Sequence, residues 1–156
     1  MQAGPDAYAI IKHYEALRLN SYLDPKGFPT IGYGHRGADV EHPMRITREE
    51  ALRLLSEDVY YCENQLNRMI TRKPVAQNHF DALLSFAFNV GCGRVLKSKI
   101  LKMFNTSQDA EAANEFLRWN NVKINGRAVK YRGLTYRRNS ERELFLKGVL
   151  NIKPNL

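Results

Sequence analysis

Residues 15–35 read EALRLNSYLDPKGFPTIGYGH, and the hydrophobic rhythm changes within them. Upstream, Ala7, Ile10, Ile11, Tyr14 and Leu17 recur at helical spacing, with Pro5 and Asp6 suited to a helix start. From Ser21 to His35 the pattern becomes short and alternating. Tyr22, Phe28, Ile31 and Tyr33 are strand formers there, punctuated by Pro25, Gly27, Gly32 and Gly34. The reading is a short amphipathic helix followed by a small hairpin, with a third strand expected near Val40.

Beyond the hairpin, Thr47 opens TREE, a capping box with Glu50, and a periodic run to about Ile70. At 1.5 Å per residue such a helix is roughly 35 Å long, enough to leave a small lobe and enter a second one. After Pro74 the spacing predicts helices over 76–89, 95–104, 109–119 and 134 to about 149, with GCG, NTSQ and NNVKING as caps and turns. The expected fold class is α+β, mostly α, in one domain spanning 1–156. A β-hairpin lobe at about 18–46 is joined by an inter-lobe helix at about 48–70 to a helical lobe at about 74–150, which the N-terminal helix completes. A cleft between hairpin and helical body is the natural place for a site.

A chain of 156 residues buries a core without staples. Cys62 and Cys92 lie in apolar runs without CxxC spacing, which points to packing residues in a reducing compartment ahead of a disulfide or a metal site, with the disulfide left open by the sequence. No run is long enough to span a membrane, and the N-terminus lacks the apolar core of a signal peptide or anchor. The expected location is therefore the cytoplasm, with a separate release route to any target outside it. Net charge is +8, unevenly placed: residues 1–120 carry 15 basic and 14 acidic side chains, residues 121–156 nine and two. That asymmetry points to an anionic partner, whether nucleic acid, cell-wall polymer or membrane surface.

Glu15 stands on the first helix beside Tyr14, Ala16 and Leu17, where partial burial would favour a protonated carboxyl. Asp24 opens the DPKG turn, where water and backbone N–H groups would keep it ionised. Two carboxyls in such contrasting surroundings suffice to break a glycosidic bond, and the Thr30 hydroxyl is placed to hold a water. Taken singly, each of these residues is more often structural than catalytic.

Together they carry a resemblance. Glu15, eight residues, Asp24, five more, then Thr30 and IGYGH resemble the signature of the phage-type lysozymes, glycoside hydrolase family 24, which includes phage endolysins. QNHFDALLSFAFNVG at 77–91 and GLTYRRNSERELFLKG at 133–148 are similar to that family's helical lobe, so the likeness covers nearly the whole chain. It implies a lysozyme-like fold and hydrolysis of the β-1,4 bond between N-acetylmuramic acid and N-acetylglucosamine in peptidoglycan, without cofactor or metal. By the same resemblance Glu15 is the general acid, Asp24 positions or activates water, and Thr30 assists. The route is inverting, with the carboxyls about 6.5 to 9.5 Å apart. Phe88 and Ser98 fall where the family lines the cleft, and Arg36 stands beyond GYGH where a less charged contact residue is expected. One of Arg137 and Arg138 is implied to reach the helix of Glu15. The expected setting is a monomeric phage endolysin, held in the host cytoplasm until a separate pore releases it. A bacterial toxin or virion wall-piercing protein is the alternative setting.

His35, closing GYGH, reads as a structural hydrogen-bond partner, and with His42 it lacks the second pair a metal site needs. Trp119 reads as core. Tyr131 and Tyr136 among Lys130, Arg132, Arg137 and Arg138 motivate a nucleic-acid-binding alternative, which leaves Glu15, Asp24 and Thr30 unexplained. A wall-binding protein without catalysis is a third reading, against which the presence of all three motif residues argues. The basic C-terminal third is expected to be drawn to the anionic cell envelope. There Leu144, Phe145, Val149 and Leu150 form the apolar side of a segment, 137–153, that would disturb membranes.

Overall fold

The computed structural model describes residues 1–153. Helix α1 (Pro5–Glu15) leads into strands β1 (Arg18–Leu23) and β2 (Pro29–Gly32), then α2 (Arg48–Met69). Helices α3 (Gln77–Val90), α4 (Cys92–Leu96), α5 (Lys99–Asn105) and α6 (Asp109–Phe116) follow, then β3 (Asn121–Ile124), β4 (Arg127–Lys130) and α7 (Arg132–Lys147).

Two cores divide these elements. Ile31, Val40, Ile46, Ala51 and Leu54 form the smaller, beneath the β1–β2 hairpin. The larger gathers Ile10 and Ile11 of α1, Leu55, Val59, Cys62 and Leu66 of α2, and Phe80, Phe86, Phe104, Phe116 and Phe145 from the later helices. Helix α2 serves both, its 22 residues running about 33 Å. It starts where expected: Thr47 Oγ1 accepts from the Glu50 N–H at 3.1 Å, and Glu50 accepts from the Thr47 N–H at 2.6 Å. Helix α1 is capped from across the core, the Gly4 N–H donating to Asp81 Oδ1 at 2.8 Å.

The hairpin pairs Tyr22 with Thr30 and Leu23 with Pro29. No third strand forms near Val40, which instead closes a turn onto the Gly37 carbonyl and packs in the smaller core. The partner of β1 is the stretch before α2: the Ser21 N–H bonds Met44 O at 2.8 Å and the Ile46 N–H bonds Leu19 O at 2.9 Å.

Three further expectations are corrected. The helix foreseen over 95–104 breaks at Lys97–Ser98, because the Ser98 hydroxyl accepts the Leu101 N–H and starts a new helix. NNVKING is no plain loop but most of the β3–β4 hairpin, turning through Asn125 and Gly126 at φ 49° and 76°. In segment 137–153 the expected apolar side is split, with Val149 exposed but its main residues turned inward. Leu144 and Phe145 are fully buried in the larger core, and Arg137 and Arg138 are 2% and 0% exposed. Among the described residues no helix is long and apolar enough to cross a membrane.

Candidate active site

Glu15 is the last residue of α1, and the chain leaves it abruptly: Ala16 has φ 56° and ψ 155°. That backbone region belongs almost exclusively to glycine, so the step from helix to strand stores strain beside the carboxylate. The GYGH turn closes against the same group. Ile31 and His35 exchange two backbone hydrogen bonds, of 3.0 and 2.8 Å, and a Cβ on Gly34 would stand 3.3 Å from Glu15 Oε2. A glycine is required there, both for this approach and for its φ of 82°.

From the other side Arg137 Nη1 donates to Glu15 Oε1 at 2.5 Å. That guanidinium is itself fixed. Its Nε donates to Glu141 Oε1 at 3.1 Å and its Nη2 to the Ser85 carbonyl at 3.1 Å. Ser85 Oγ donates to Glu141 Oε1 at 2.7 Å, Arg138 pairs with Glu141 Oε2 at 3.0 Å, and Arg138 Nη2 donates to Asn89 at 2.7 Å. Burial brings Arg138 down to about 10, which leaves it charged at neutrality. Two arginines and two glutamates thus balance each other under the cleft, an arrangement that tolerates burial because each charge is matched.

Asp24 is held differently. Its Oδ1 accepts the Phe28 N–H at 2.9 Å and the Lys26 N–H at 2.8 Å, and its Oδ2 accepts from Arg36 Nη1 at 2.8 Å. These donors, the Phe28 N–H foremost, hold its carboxyl below the usual range against a partial desolvation. Thr30 is 3% exposed, and its hydroxyl donates to the Phe28 carbonyl at 3.0 Å, the acceptor also used by the Asp24 N–H at 2.9 Å. Asp24 and Thr30 are therefore knit together through Phe28, leaving the Thr30 oxygen lone pairs to accept from a water.

A cavity of about 500 Å³ is lined by Glu15, Tyr14, Asn89, Tyr131, Tyr136 and Arg137. It adjoins a groove that shares Asn89 and Tyr131 and reaches Lys26 in the Asp24 turn. Glu15 and the Asp24 turn thus border one cleft. Phe88 packs on the larger core and lines a neighbouring hollow with Gly34 and Arg36. Arg36 is committed to Asp24 by its ion pair. Ser98 stands apart from these residues, buried as the cap of α5. Asn89 and Glu141 were not singled out from sequence, and Tyr131 only for the nucleic-acid-binding alternative; the place of Asn89 at the end of an amphipathic helix is its one signal.

His35 is structural, as expected: Nδ1 lies 2.8 Å from Asp58 Oδ2 on α2 and Nε2 3.2 Å from Asp39. Burial lowers its pKa, but the two carboxylates outweigh that and the net shift is upward. Trp119 is half-buried against the core, under the Arg94 guanidinium at 4.9 Å. Among the described residues no group of three or more His, Cys, Asp or Glu side chains is arranged to hold a metal.

The family model for phage lysozyme matches residues 12–141. The endolysin of Bacillus phage B103 is 42% identical over 141 residues, 89% of this chain and 52% of that protein. The endolysin of Salmonella phage P22 is 37% identical over 150 residues, 94% of this chain and 99% of that one. Among solved structures, an endolysin from Escherichia coli O157:H7 phage FAHEc1 superposes with a TM-score of 0.89 at 35% identity, covering 97% of both chains. The chain spans about half the length of the Bacillus phage relatives it matches.

Proposed function

This chain belongs to the phage lysozyme family, and from that premise we propose that it is a muramidase, hydrolysing the β-1,4 bond between N-acetylmuramic acid and N-acetylglucosamine in peptidoglycan during host lysis. The observation that supports this reading is the contrast between its two cleft carboxyls. Glu15 is fixed by a single buried guanidinium, whereas Asp24 accepts three donors and is kept ionised.

In this reading the bound glycan excludes water from Glu15, which takes up a proton despite Arg137 and gives it to the glycosidic oxygen as the bond to C1 breaks. A water held by Asp24 and Thr30 attacks C1 from the opposite face, and its proton passes to Asp24. Arg137 then stabilises the carboxylate left on Glu15, and proton exchange with solvent resets both acids. Inversion at C1 follows from attack opposite the leaving group. Phe88 and Arg36 border the bound glycan, Arg36 acting chiefly through Asp24. The enzyme works as a monomer, waits in the host cytoplasm and reaches the wall through a separate pore.

The test is digestion of purified peptidoglycan by wild type and Glu15→Gln, with mass analysis of the products. Clearing by wild type alone, with hydrated muramic-acid reducing ends, is the expected result. Anhydro-muramic ends, or no clearing of any wall preparation by wild type, would overturn the hydrolytic reading.

A further inference from the structure

The proposed reaction uses neither cysteine, yet the fold brings them together. Cys62 lies on α2 and is 4% exposed, while Cys92 opens α4 and is half-buried; both are free thiols, their sulfurs 3.3 Å apart. A hollow of about 340 Å³ is lined by both cysteines together with Arg36 and Phe88, so the pair has a route to solvent beside the cleft.

We propose that Cys62 and Cys92 form a redox modification site, a dithiol that closes to an intramolecular disulfide when the protein meets a disulfide oxidant. The geometry assigns each sulfur a step. Cys92 is the outer one, and with Cys92 as thiolate the Cys62 S–H donates to it, which brings the Cys92 thiol down to about 7 and pushes Cys62 up. The Cys92 thiolate attacks the oxidant's disulfide, forms a mixed disulfide and expels one thiolate. That thiolate takes the Cys62 proton, and the Cys62 sulfur attacks Cys92 Sγ and expels the second thiolate, which takes from solvent the proton Cys92 had released. Two protein thiols lose two protons and two electrons, and the oxidant's disulfide becomes two thiols.

Closure asks little of the fold. The sulfurs must approach from 3.3 Å to a bond of about 2.05 Å, within reach of small side-chain rotations. The product links positions 30 apart in sequence, tying α2 to α4 across α3. Linking them removes freedom from the unfolded chain, so oxidation is expected to raise Tm by roughly 5–10 °C. Resting on the muramidase reading, the biological consequence is an enzyme made with open thiols in a reducing cytoplasm and hardened on the oxidising side of the membrane where its wall target lies.

The full chain is equilibrated in reduced and in oxidised glutathione, and followed by thiol titration under denaturing conditions, intact mass, non-reducing peptide mapping and thermal melting. Expected are two titratable thiols when reduced and none when oxidised. The oxidised mass should be lower by two hydrogens, with a peptide linking 62 to 92 and a raised Tm. Cys62→Ser and Cys92→Ala should show neither linked peptide nor upward shift. Thiols that persist in oxidised glutathione, a stable glutathione adduct, or a link only between chains would overturn the proposal. Wall clearing is assayed on the same samples: its absence in both redox forms would sink the muramidase reading and leave the disulfide result standing.

Discussion

Arg137 meets Glu15 at 2.5 Å from a position only 2% exposed, so the arginine is part of the core before it is part of the cleft. Replacing it with Met leaves Glu15 and Glu141 short of their partner. The expected cost is about 3–5 kcal/mol of stability. Chemical denaturation measures it, and a loss below about 1 kcal/mol would show that the pair is solvated rather than buried. Wall clearing should fall as well, because Glu15 loses its orientation.

Glu141 tests the same cluster from its far side. It is fully buried, accepts from Ser85 and pairs with both arginines. Glu141→Gln strands the buried Arg138 cation and leaves Arg137 with Glu15 alone, and is expected to cost about 3–5 kcal/mol. Ser85→Ala, which removes one hydrogen bond to a charged group, is expected to cost about 1.5–3 kcal/mol. Unfolding curves that ranked the two in the reverse order would sink the charge-balance account.

Asp24 gives a prediction in pH. Its folded pKa is depressed, so the stability it contributes is present above its unfolded value and lost as pH falls through the folded one. Arg36→Ala removes one of the three donors and should move the Asp24 midpoint upward, shifting the acidic limb of wall clearing the same way. Carboxyl titration by NMR checks the first and a pH–rate profile the second. Asp24→Asn should lower clearing by about 10²-fold or more.

For His35 the sign is opposite. Its folded pKa is raised by Asp58 and Asp39 against burial, so its contribution is full below the unfolded value of about 6.5 and lost as pH rises through the folded one. Asp58→Asn should lower the His35 midpoint and flatten the stability profile above the unfolded value of about 6.5. An imidazole titration unchanged by that substitution would remove Asp58 as the cause.

Ala16 is a place where the natural residue opposes its backbone. Ala16→Gly relieves strain of about 1–3 kcal/mol and loses about 0.4–1 kcal/mol to the freer unfolded chain. A net gain of about 1 kcal/mol is expected, and Ala16→Val should be clearly destabilising. Thermal melts of both variants decide it.

What the sequence discloses depends on how local the signal is. The capping box at Thr47 and the GYGH turn are legible because their hydrogen bonds run between near neighbours. The same holds for Glu15 at a helix end and Asp24 in a turn. The β3–β4 hairpin escapes periodicity because its strands are exposed on both faces, so no apolar alternation marks them. Its one sign is Asn125–Gly126, the pair that a turn with two positive φ angles requires. The break at Ser98 is likewise written in a capping hydroxyl inside an apolar run. In the Glu15, Arg137, Glu141 and Ser85 cluster Arg137 meets Ser85 and Glu15 from 52 and 122 positions away, and nothing in residue spacing shows that charged residues of α7 face inward. The inward turn of Leu144 and Phe145 is hidden for the same reason, since a basic, amphipathic segment reads alike on a surface and over a charged core.

The division of the core has a consequence for how the molecule breathes. Asp24 and Thr30 belong to a hairpin whose hydrophobic support is five buried residues, two of them lent by α2. Glu15 and Arg137 rest on the larger cluster. Backbone amides of the hairpin should therefore exchange with solvent deuterium through partial openings that leave the helical body intact. During each such excursion the cleft keeps its acid while losing the carboxylate that faces it.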